Sequence, residues 1–394
     1  MPHERPATVE CMSSFSPAIL AWFNAAFASA TPVQEAAWAV IGRRQHTLVI
    51  APTGSGKTLA AFLHAIDRLF AEKDAARLEP RGATEDKPAA TRVLYISPIK
   101  ALAADVQRNL QRPLQGVHAQ RQRRGDAAVD IRVAIRSGDT TPAERARLVR
   151  KPPDILITTP ESLFLMLTSN ARETLRGVGT IIIDEIHAVA GTKRGTHLAL
   201  SLERLDALLE RPAQRIGLSA TVRPEQVVAG FLGGDRPVTV VNPPSPRHLD
   251  MKIVVPVEDM ADIPTHAGDA TGARAGSIWP HVEASILDEV LQRRSTIVFA
   301  NSRGVAERLT ARLNALYAER GGVVAAGQSP ALRAEVLGSF TGSTSGRVEN
   351  AGELIARSHH GSVSKEQRAQ IEQALKAGAL RCVVATSSLE LGID

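Results

Sequence analysis

The sequence predicts an α/β protein with two doubly wound, parallel-sheet domains, the second of them incomplete. Six short apolar runs alternate with helical patterns before residue 222, and the alternation of strands and helices resumes after residue 280. Near-continuous apolar strands separated by helices are typical of a parallel sheet that is covered on both faces. We therefore predict a first domain over residues 1–245, a linker over 246–280 and a second domain over 281–394.

The strands of the first domain are predicted from β-branched runs. In chain order these runs read TLVIA, RVLYIS, IRVAI, DILITT, TIIIDE and QRIGLSA. The helices between them include Lys57–Phe70 and the run HLALSLERLDALL, whose leucines recur at helical spacing. An earlier amphipathic helix carries Trp22, Phe23 and Phe27, and we expect these three side chains to face the core.

The linker is predicted from composition. The runs NPPSPRH and THAGDATGARAGS are rich in Pro, Gly, Ala and Thr, which is typical of a connection between domains. After them come the strand patterns STIVFA, LIARSHHG and LRCVVAT and the helical patterns GVAERLTARLNALYAER and KEQRAQIEQALKAG. Residues 321–350 are irregular and predict a surface insertion. The sequence stops soon after the last predicted strand, so we expect the second domain to be incomplete.

Composition favours a protein with an acidic partner. The chain has 394 residues, 44% of them hydrophobic, and a net charge of +6, which suits a large core and an anion such as nucleic acid. Cys11 and Cys382 lie too far apart for a CxxC site, and two cysteines build no disulfide framework. A reducing compartment is expected.

The run AILAWFNAAFASA is similar to the apolar part of a signal peptide. The acidic Glu4 and Glu10 before it and Asn24 inside it favour a helix of the folded protein instead. No apolar run reaches the roughly 18 residues that a transmembrane helix needs. We therefore predict a cytoplasmic protein with no membrane partner.

The run APTGSGKT, from Ala51 to Thr58, follows a predicted strand and opens a predicted helix. Glycines allow backbone N–H groups to close on phosphate oxygens, a lysine reaches the β and γ phosphates, and a threonine hydroxyl binds Mg²⁺. Ala51 stands where the general phosphate-loop pattern has its first glycine, and a structural glycine-rich turn is the alternative. The predicted nucleotide-binding residues are Thr53, Gly54, Ser55, Gly56, Lys57 and Thr58.

The run IIIDEIH places Asp184 and Glu185 just beyond a buried strand. Alone, such a pair is most often a solvated turn. Together with Lys57 and Thr58 it predicts a hydrolytic site, in which Asp184 holds Mg²⁺ with Thr58 and Glu185 deprotonates the attacking water.

An ordered series of short motifs resembles that of superfamily 2 DEAD/DEAH-box helicases. In chain order the series reads TPVQEAAW, APTGSGKT, SPIKALAADV, TTPESL, DEIH, SAT, IVFANSR and VVATSSLELGID. Within that superfamily, GTKRGTHLALSLERL and STIVFANSRGVAERL are similar to the large helicase-related (Lhr) family. The resemblance implies two RecA-like domains and ATP-dependent 3′-to-5′ translocation on single-stranded nucleic acid. It also implies duplex unwinding and a role in DNA repair.

The resemblance implies further roles near the nucleotide. Gln34 would contact the adenine with Thr31 nearby, although Thr and Gln three residues apart also form a helix capping box. Ser219 and Thr221 would couple hydrolysis to the nucleic-acid track, or else simply end a strand. His187 would join the catalytic group, with a structural histidine as the alternative.

The end of the sequence and the track supply the remaining implied sites. Gly392 and Asp394 would approach the nucleotide from the second domain. The implied nucleic-acid contacts are Ser97, Pro98, Lys100, Thr159, Pro160, Asn301, Ser302, Arg303 and Thr386. Such hydroxyls, amides and cations bind phosphates without reading bases, although the same residues also favour helix caps and turns.

A complete motor of this family has a QxxGRxGR-like motif whose arginines reach the γ phosphate, and the 394 residues contain none. We therefore expect an N-terminal fragment that binds ATP and Mg²⁺ but hydrolyses ATP poorly. The expected partner is single-stranded DNA, with DNA or RNA:DNA duplexes as further candidates. An ATP-gated clamp without productive turnover is the alternative, and an ATPase that acts on protein partners is a third hypothesis.

Overall fold

The computed structural model describes residues 12, 14–78, 90–98, 100–220, 222–244, 250–260, 263, 277–320, 354–386 and 389. The chain divides into two compact units, residues 1–247 and 248–393. Each unit is built on its own parallel sheet, which confirms the predicted fold class. No helix of the described residues is long and apolar enough to cross a membrane.

The first unit contains a seven-stranded parallel sheet in the order β3-β4-β2-β5-β6-β1-β7. Its strands are β1 His46–Ile50, β2 Val93–Ile96, β3 Val133–Arg136, β4 Ile155–Thr158, β5 Thr180–Ile183, β6 Gln214–Ser219 and β7 Val238–Val241. The first six were predicted. The edge strand β7 was missed, because its four residues lie beside the proline-rich run that we assigned to the linker.

Helices cover both faces of this sheet. They are α1 Pro17–Ala26, α2 Pro32–Ile41, α3 Lys57–Leu78, α4 Lys100–Arg123, α5 Pro142–Arg150, α6 Pro160–Leu167, α7 His187–Ala190, α8 Lys193–Leu208 and α9 Glu225–Gly233. A 3₁₀ turn spans Asn170–Leu175. Side chains of the strands alternate between two hydrophobic cores, so that Tyr95 joins one core and its neighbours Leu94 and Ile96 join the other.

Helix α1 packs on the first of these cores through Trp22 and Phe23. The Phe23 ring meets the Trp38 ring edge-on at a centroid distance of 5.4 Å. Phe27 follows the last helical residue and is 43% exposed, with its ring against Trp22 and Phe23. The prediction that Phe27 faces the core is wrong, because the helix ends one residue before it.

The second unit contains a three-stranded parallel sheet in the order β8-β10-β9. Its elements are α10 Trp279–Gln292, β8 Thr296–Phe299, α11 Arg303–Glu319, β9 Ala356–His359, α12 Lys365–Ala377 and β10 Cys382–Ala385. Leu287, Leu309, Leu313 and Val384 meet in a core on one side of the sheet. The predicted insertion at 321–350 lies outside the described residues.

A buried ionic network holds the amino end of β6 to α8 and α9. Arg215 is only 1% exposed, and it donates to Asp206 at 2.6 Å, to Glu203 at 2.8 Å and to the carbonyl of Leu232 at 3.0 Å. Asp206 also accepts from Arg236 and from the backbone N–H of Ala213. The Asp206 carboxylate therefore balances two guanidinium groups.

Removal of that carboxylate should destabilise the first unit. We expect Asp206→Ala to lower the free energy of unfolding by about 3 kcal/mol, because the buried Arg215 loses its fully buried partner. Asp235→Ala is the matched control, since that side chain is 92% exposed, and it should change the value by less than about 0.5 kcal/mol. Urea unfolding followed by circular dichroism measures both, and equal losses would contradict the central role of Asp206.

Candidate functional site

The loop between β1 and α3 has the backbone conformation of a phosphate cradle. Gly54 and Gly56 have φ angles of 73° and 85°, a region that favours glycine. The Lys57 side chain is buried, and its Nζ donates to the carbonyl oxygen of Ala51 at 2.6 Å. Thr53 is exposed and Thr58 half-buried. The loop thus turns its backbone back on itself at the carboxyl end of β1, with the lysine at its base.

Helix α2 braces this loop. The Thr31 hydroxyl donates to the carbonyl of Ser55 at 2.9 Å, and the Gln34 amide donates to the carbonyl of Gly56 at 3.4 Å. The Ser55 hydroxyl is buried and has no hydrogen-bond partner among the described residues. A buried hydroxyl in this position is a polar group that a phosphate oxygen would satisfy.

Thr31 and Gln34 also form the capping box that the sequence left open as an alternative. The N–H of Gln34 donates to the Thr31 hydroxyl at 3.3 Å, and the N–H of Thr31 donates to Oε1 of Gln34 at 3.0 Å. The box fixes the oxygen end of the amide, so the nitrogen end is directed to the phosphate loop. The adenine contact of Gln34 stays a prediction.

The acidic pair lies at the carboxyl end of β5. Asp184 is buried, and its Oδ2 accepts from the hydroxyl of Tyr95. Its other oxygen accepts from the N–H of Glu185 at 3.0 Å. Glu185 has a φ angle of 41°, a conformation that side-chain-bearing residues rarely adopt and that is often found at functional sites. The turn therefore places two adjacent carboxylates at the same strand end.

His187 joins the acidic pair to the next strand. Its Nδ1 lies 3.3 Å from Oε2 of Glu185 and 3.2 Å from the hydroxyl of Ser219 at the end of β6. Burial, and then the charge of Lys57, lower the pKa of His187, so the ring is neutral at pH 7. Nδ1 forms its hydrogen bond with the Ser219 hydroxyl, as donor or as acceptor according to the tautomer of the ring. The ring therefore contacts both the Glu185 carboxylate and the Ser219 hydroxyl through the same nitrogen.

Tyr95 is a site residue that sequence reasoning missed. It lies in the middle of the apolar run RVLYIS, where it was read only as a strand residue. Its ring is fully buried and stacks on Phe62 at a centroid distance of 5.1 Å. The available signal was its hydroxyl, because a buried tyrosine needs a hydrogen-bond partner.

The predicted track residues of the first unit also lie at the carboxyl edge of its sheet. Ser97 follows β2 and is fully buried, and the neighbouring Pro98 is also buried. Thr159 caps α6 by accepting from the N–H of Ser162 at 3.4 Å. Pro160 opens that helix and is buried. The first unit thus brings both segments to one edge, with Thr159 acting as a helix cap.

In the second unit, Ser302 caps α11, where its hydroxyl accepts from the N–H of Val305 at 3.2 Å. Arg303 donates to the hydroxyl of Ser362 at 2.7 Å, in the loop after β9. Asn301 is exposed, and the N–H of Thr386 donates to the carbonyl of His359 at 3.2 Å. These four residues therefore follow β8 and β10, and Arg303 contacts the loop after β9.

The loop HHGS was assigned no role from the sequence. The His360 ring lies 3.0 Å from the Glu307 carboxylate on α11, and its Nδ1 accepts from the N–H of Ser362. His360, held by Glu307, therefore fixes the position of Ser362, whose hydroxyl accepts the hydrogen bond from Arg303. Thr221, Gly392 and Asp394 lie outside the described residues, as does the side chain of Lys100.

The parallel sheet, the phosphate loop after β1 and the acidic pair after β5 are the parts of a P-loop nucleotide-binding domain. A family model, DEAD/DEAH box helicase, matches residues 31–229, and the chain belongs to that family.

Relatives confirm the resemblance to Lhr helicases. The chain is 64% identical over 384 residues to Lhr helicase/uracil glycosylase of Escherichia coli, with 96% of this chain and 24% of that protein covered. It is 37% identical over 388 residues to the ATP-dependent helicase Lhr-Core of Saccharolobus solfataricus, with 98% of this chain and 38% of that protein covered. The chain thus spans about a quarter of the E. coli relative.

A solved structure matches as well. The structure of Mycobacterium smegmatis helicase Lhr bound to ssDNA and AMP-PNP has a TM-score of 0.76 and 54% identity, and it covers 98% of this chain and 43% of that chain. The helicase MrfA bound to DNA and AMPPNP shares the fold at 21% identity with a TM-score of 0.67. Both support RecA-like domains.

Substitution of Gly56 tests the phosphate loop. A Cβ at Gly56 would lie 2.4 Å from Nε2 of Gln34, and the φ of 85° disfavours alanine. We expect Gly56→Ala to weaken binding of a fluorescent ATP analogue about tenfold, which corresponds to the 1–2 kcal/mol cost of a left-handed residue. Gly191→Ala is the control, because no atom lies within 4 Å of its Cβ position. Unchanged affinity in Gly56→Ala would contradict this prediction.

Proposed function

We propose that this chain is the ATP-binding core of a helicase that translocates on single-stranded DNA. One observation carries the proposal: Glu185, His187 and Ser219 form a continuous chain of contacts at the sheet edge that also holds the phosphate loop. The relatives named as Lhr helicases and the Lhr structure with ssDNA and AMP-PNP support it. Movement from 3′ to 5′ and a role in DNA repair belong to the proposal on the strength of the family resemblance.

The residues at this edge suit ATP with Mg²⁺. The Ser55 hydroxyl is buried and lacks a hydrogen-bond partner within the described part of the chain. Together with two glycines in left-handed conformations it forms a cradle that phosphate oxygens would fill. Thr58 and Asp184 supply the oxygen ligands that Mg²⁺ prefers. Bound Mg²⁺–ATP supplies the phosphoanhydride bond that is hydrolysed, and its Mg²⁺ offsets the negative charge of the phosphates.

The roles of the chain's own side chains follow from their surroundings. Lys57 would leave the carbonyl of Ala51 and bind phosphate instead, since both are oxygen acceptors for one ammonium. Glu185 would orient a water molecule and accept its proton. His187 is neutral and contacts both Glu185 and Ser219. It would therefore transmit a change in the protonation of the Glu185 carboxylate to the end of β6. Gln34 would contact the adenine while it braces the loop.

Each unit would contribute its own phosphate contacts at the carboxyl ends of its strands. Helix N-termini and hydroxyls after β2, β4, β8 and β10 would bind the phosphates, which gives little sequence preference. Thr221, Gly392 and Asp394 keep the roles that the resemblance implies. We place the protein in the cytoplasm on the basis of its cysteine content.

The second candidate is an ATP-gated clamp on nucleic acid that turns over slowly. In related phosphoryl-transfer sites, an arginine supplied to the γ phosphate raises rates by about three to five orders of magnitude. Both candidates predict ATP-dependent binding to single strands. Only the helicase predicts that turnover rises when such an arginine is supplied.

Steady-state ATP hydrolysis with and without single-stranded DNA tests the helicase directly. We expect single strands to stimulate hydrolysis by a version of the chain extended with the corresponding segment of the E. coli relative. Glu185→Gln in that version should reduce the stimulated rate by roughly a hundredfold or more, because the water loses its base. Nucleotide affinity should be unchanged.

The 394-residue chain is the comparison in the same assay. We expect it to bind the strand and ATP but to hydrolyse ATP much more slowly than the extended version. If strands stimulate neither version, the proposed motor is wrong. If the extended version binds strands but stays slow, the clamp is the better description.

Tyr95→Phe tests whether the buried hydroxyl sets the acidic pair for Mg²⁺. The variant keeps the ring that stacks on Phe62 and removes only the donor to Asp184. We expect the affinity for a fluorescent ATP analogue to fall about tenfold with Mg²⁺ present and to be unchanged in EDTA, as is typical of groups that orient metal ligands. Tyr317→Phe, in the second unit, is the control. An equal loss in EDTA would contradict the assignment.

A further inference from the structure

The stretch GTKRG after the acidic pair resembles that of Lhr helicases, yet the site described above assigns it no role. Its first two residues separate α7 from α8, and its last three residues begin α8. Thr192 caps α8 by accepting from the N–H of Gly195 at 3.1 Å, and its hydroxyl donates to the carbonyl of Val189 at 2.8 Å. The first turn of α8 is therefore tied to the short helix that follows His187.

Gly195 allows this close approach. A Cβ at Gly195 would lie 2.0 Å from the carbonyl oxygen of Val189 and 2.8 Å from its carbon. Both of those atoms are backbone, so a side chain here would push α8 away from α7. The residue before it, Arg194, is consequently held at a fixed position beside the sheet edge.

Arg194 uses all three nitrogens of its guanidinium group on two other segments. Its Nε and Nη2 bind the two carboxylate oxygens of Glu161, the second at 3.0 Å, and its Nη1 donates to the carbonyl of Pro98 at 2.6 Å. Glu161 lies in the first turn of α6, and Pro98 follows β2. One side chain thus connects the two segments to which the phosphate contacts were assigned.

The Glu161 carboxyl is ionised throughout the physiological range. The hydrogen bonds from Arg194 lower the pKa of the Glu161 carboxyl to about 2. Glu161 would otherwise present a bare negative charge at the N-terminus of α6, where a nucleic-acid phosphate is expected. Arg194 offsets that charge while it fixes the positions of the two segments. A planar guanidinium group can donate to both oxygens of one carboxylate, which a lysine ammonium cannot do in the same geometry.

We propose that Arg194 is a positioning residue that clasps the segments around Pro98 and Glu161 into one phosphate-binding track. The proposal rests on the proposed function, because it assumes that these segments contact single-stranded DNA. Arg194 acts on the strand through its two protein partners. Its neighbour Lys193 is exposed and has no hydrogen bond or ion pair among the described residues. Lys193 is therefore a matched control, because it carries the same charge but connects no segments.

Binding of a fluorescein-labelled single-stranded oligodeoxynucleotide tests the clasp. We expect Arg194→Met to weaken binding roughly tenfold, which is the value of about one hydrogen bond to a charged group. Arg194→Lys should lose nearly as much, because an ammonium cannot hold a carboxylate and a carbonyl in one plane. Lys193→Met should stay within about twofold. Wild-type affinity in Arg194→Lys, or an equal loss in Lys193→Met, would overturn the proposal in favour of simple charge attraction.

A double-mutant cycle tests whether Arg194 acts through Glu161. In a Glu161→Gln background the fork has already lost its charged partner, so Arg194→Met should cost clearly less than in the wild type. An identical cost in both backgrounds would show that Glu161 is not the route, and the proposal would fall. Affinity for a fluorescent ATP analogue should be unchanged in every variant, which excludes global misfolding.

Hydrogen exchange separates failure of the clasp from failure of the proposed function. In the absence of DNA, Arg194→Met should accelerate amide exchange at the starts of α4 and α6 and leave α3 unchanged. Unchanged exchange at both helix starts would overturn the clasp whatever the protein binds. Accelerated exchange in a protein that binds no strand even as the wild type would contradict the proposed function and leave the clasp standing.

Discussion

The structure depends on the parallel order of the seven-stranded sheet, because this order brings the carboxyl ends of all its strands to one edge. In the sequence β5-β6-β1, one strand separates the acidic pair from the phosphate loop. Strands lie about 4.8 Å apart, so the ends of β5 and β1 are about 10 Å apart. That gap suits a group of phosphates, and Ser219 at the end of β6 lies within it. The His187 contact to Ser219 is a direct result of this strand order.

Many polar residues at this edge serve local backbone structure and the site together. Thr31 and Gln34 close a capping box and also brace the phosphate loop. Arg194 lies in the first turn of α8 and holds the segments after β2 and β4. Such shared use makes the edge rigid, since each side chain is fixed by a helix terminus as well as by its partner. It also explains why residues suited to helix caps recur at the proposed contacts.

The second unit repeats the principle on a smaller sheet. Arg303, Ser362, His360 and Glu307 form a connected polar group beside the ends of β8 and β9. Each unit has its own hydrophobic core and its own polar edge. Each sheet therefore carries a connected polar group at the carboxyl ends of its strands.

Among the residues that the structure describes, the sequence by itself determined the α/β class and nine of the ten strands, and it located the phosphate loop and the acidic pair. Local chemistry suffices there, because apolar runs, glycine conformations and adjacent carboxylates act within a few residues. It overlooked β7, whose four residues adjoin a proline-rich run, and it misjudged Phe27 by one helical position. Only the tertiary structure decided that Tyr95 binds Asp184 and that Arg194 binds Glu161 and Pro98. These partners are 89, 33 and 96 residues apart, and nothing local in the sequence reports which distant groups a parallel sheet brings together.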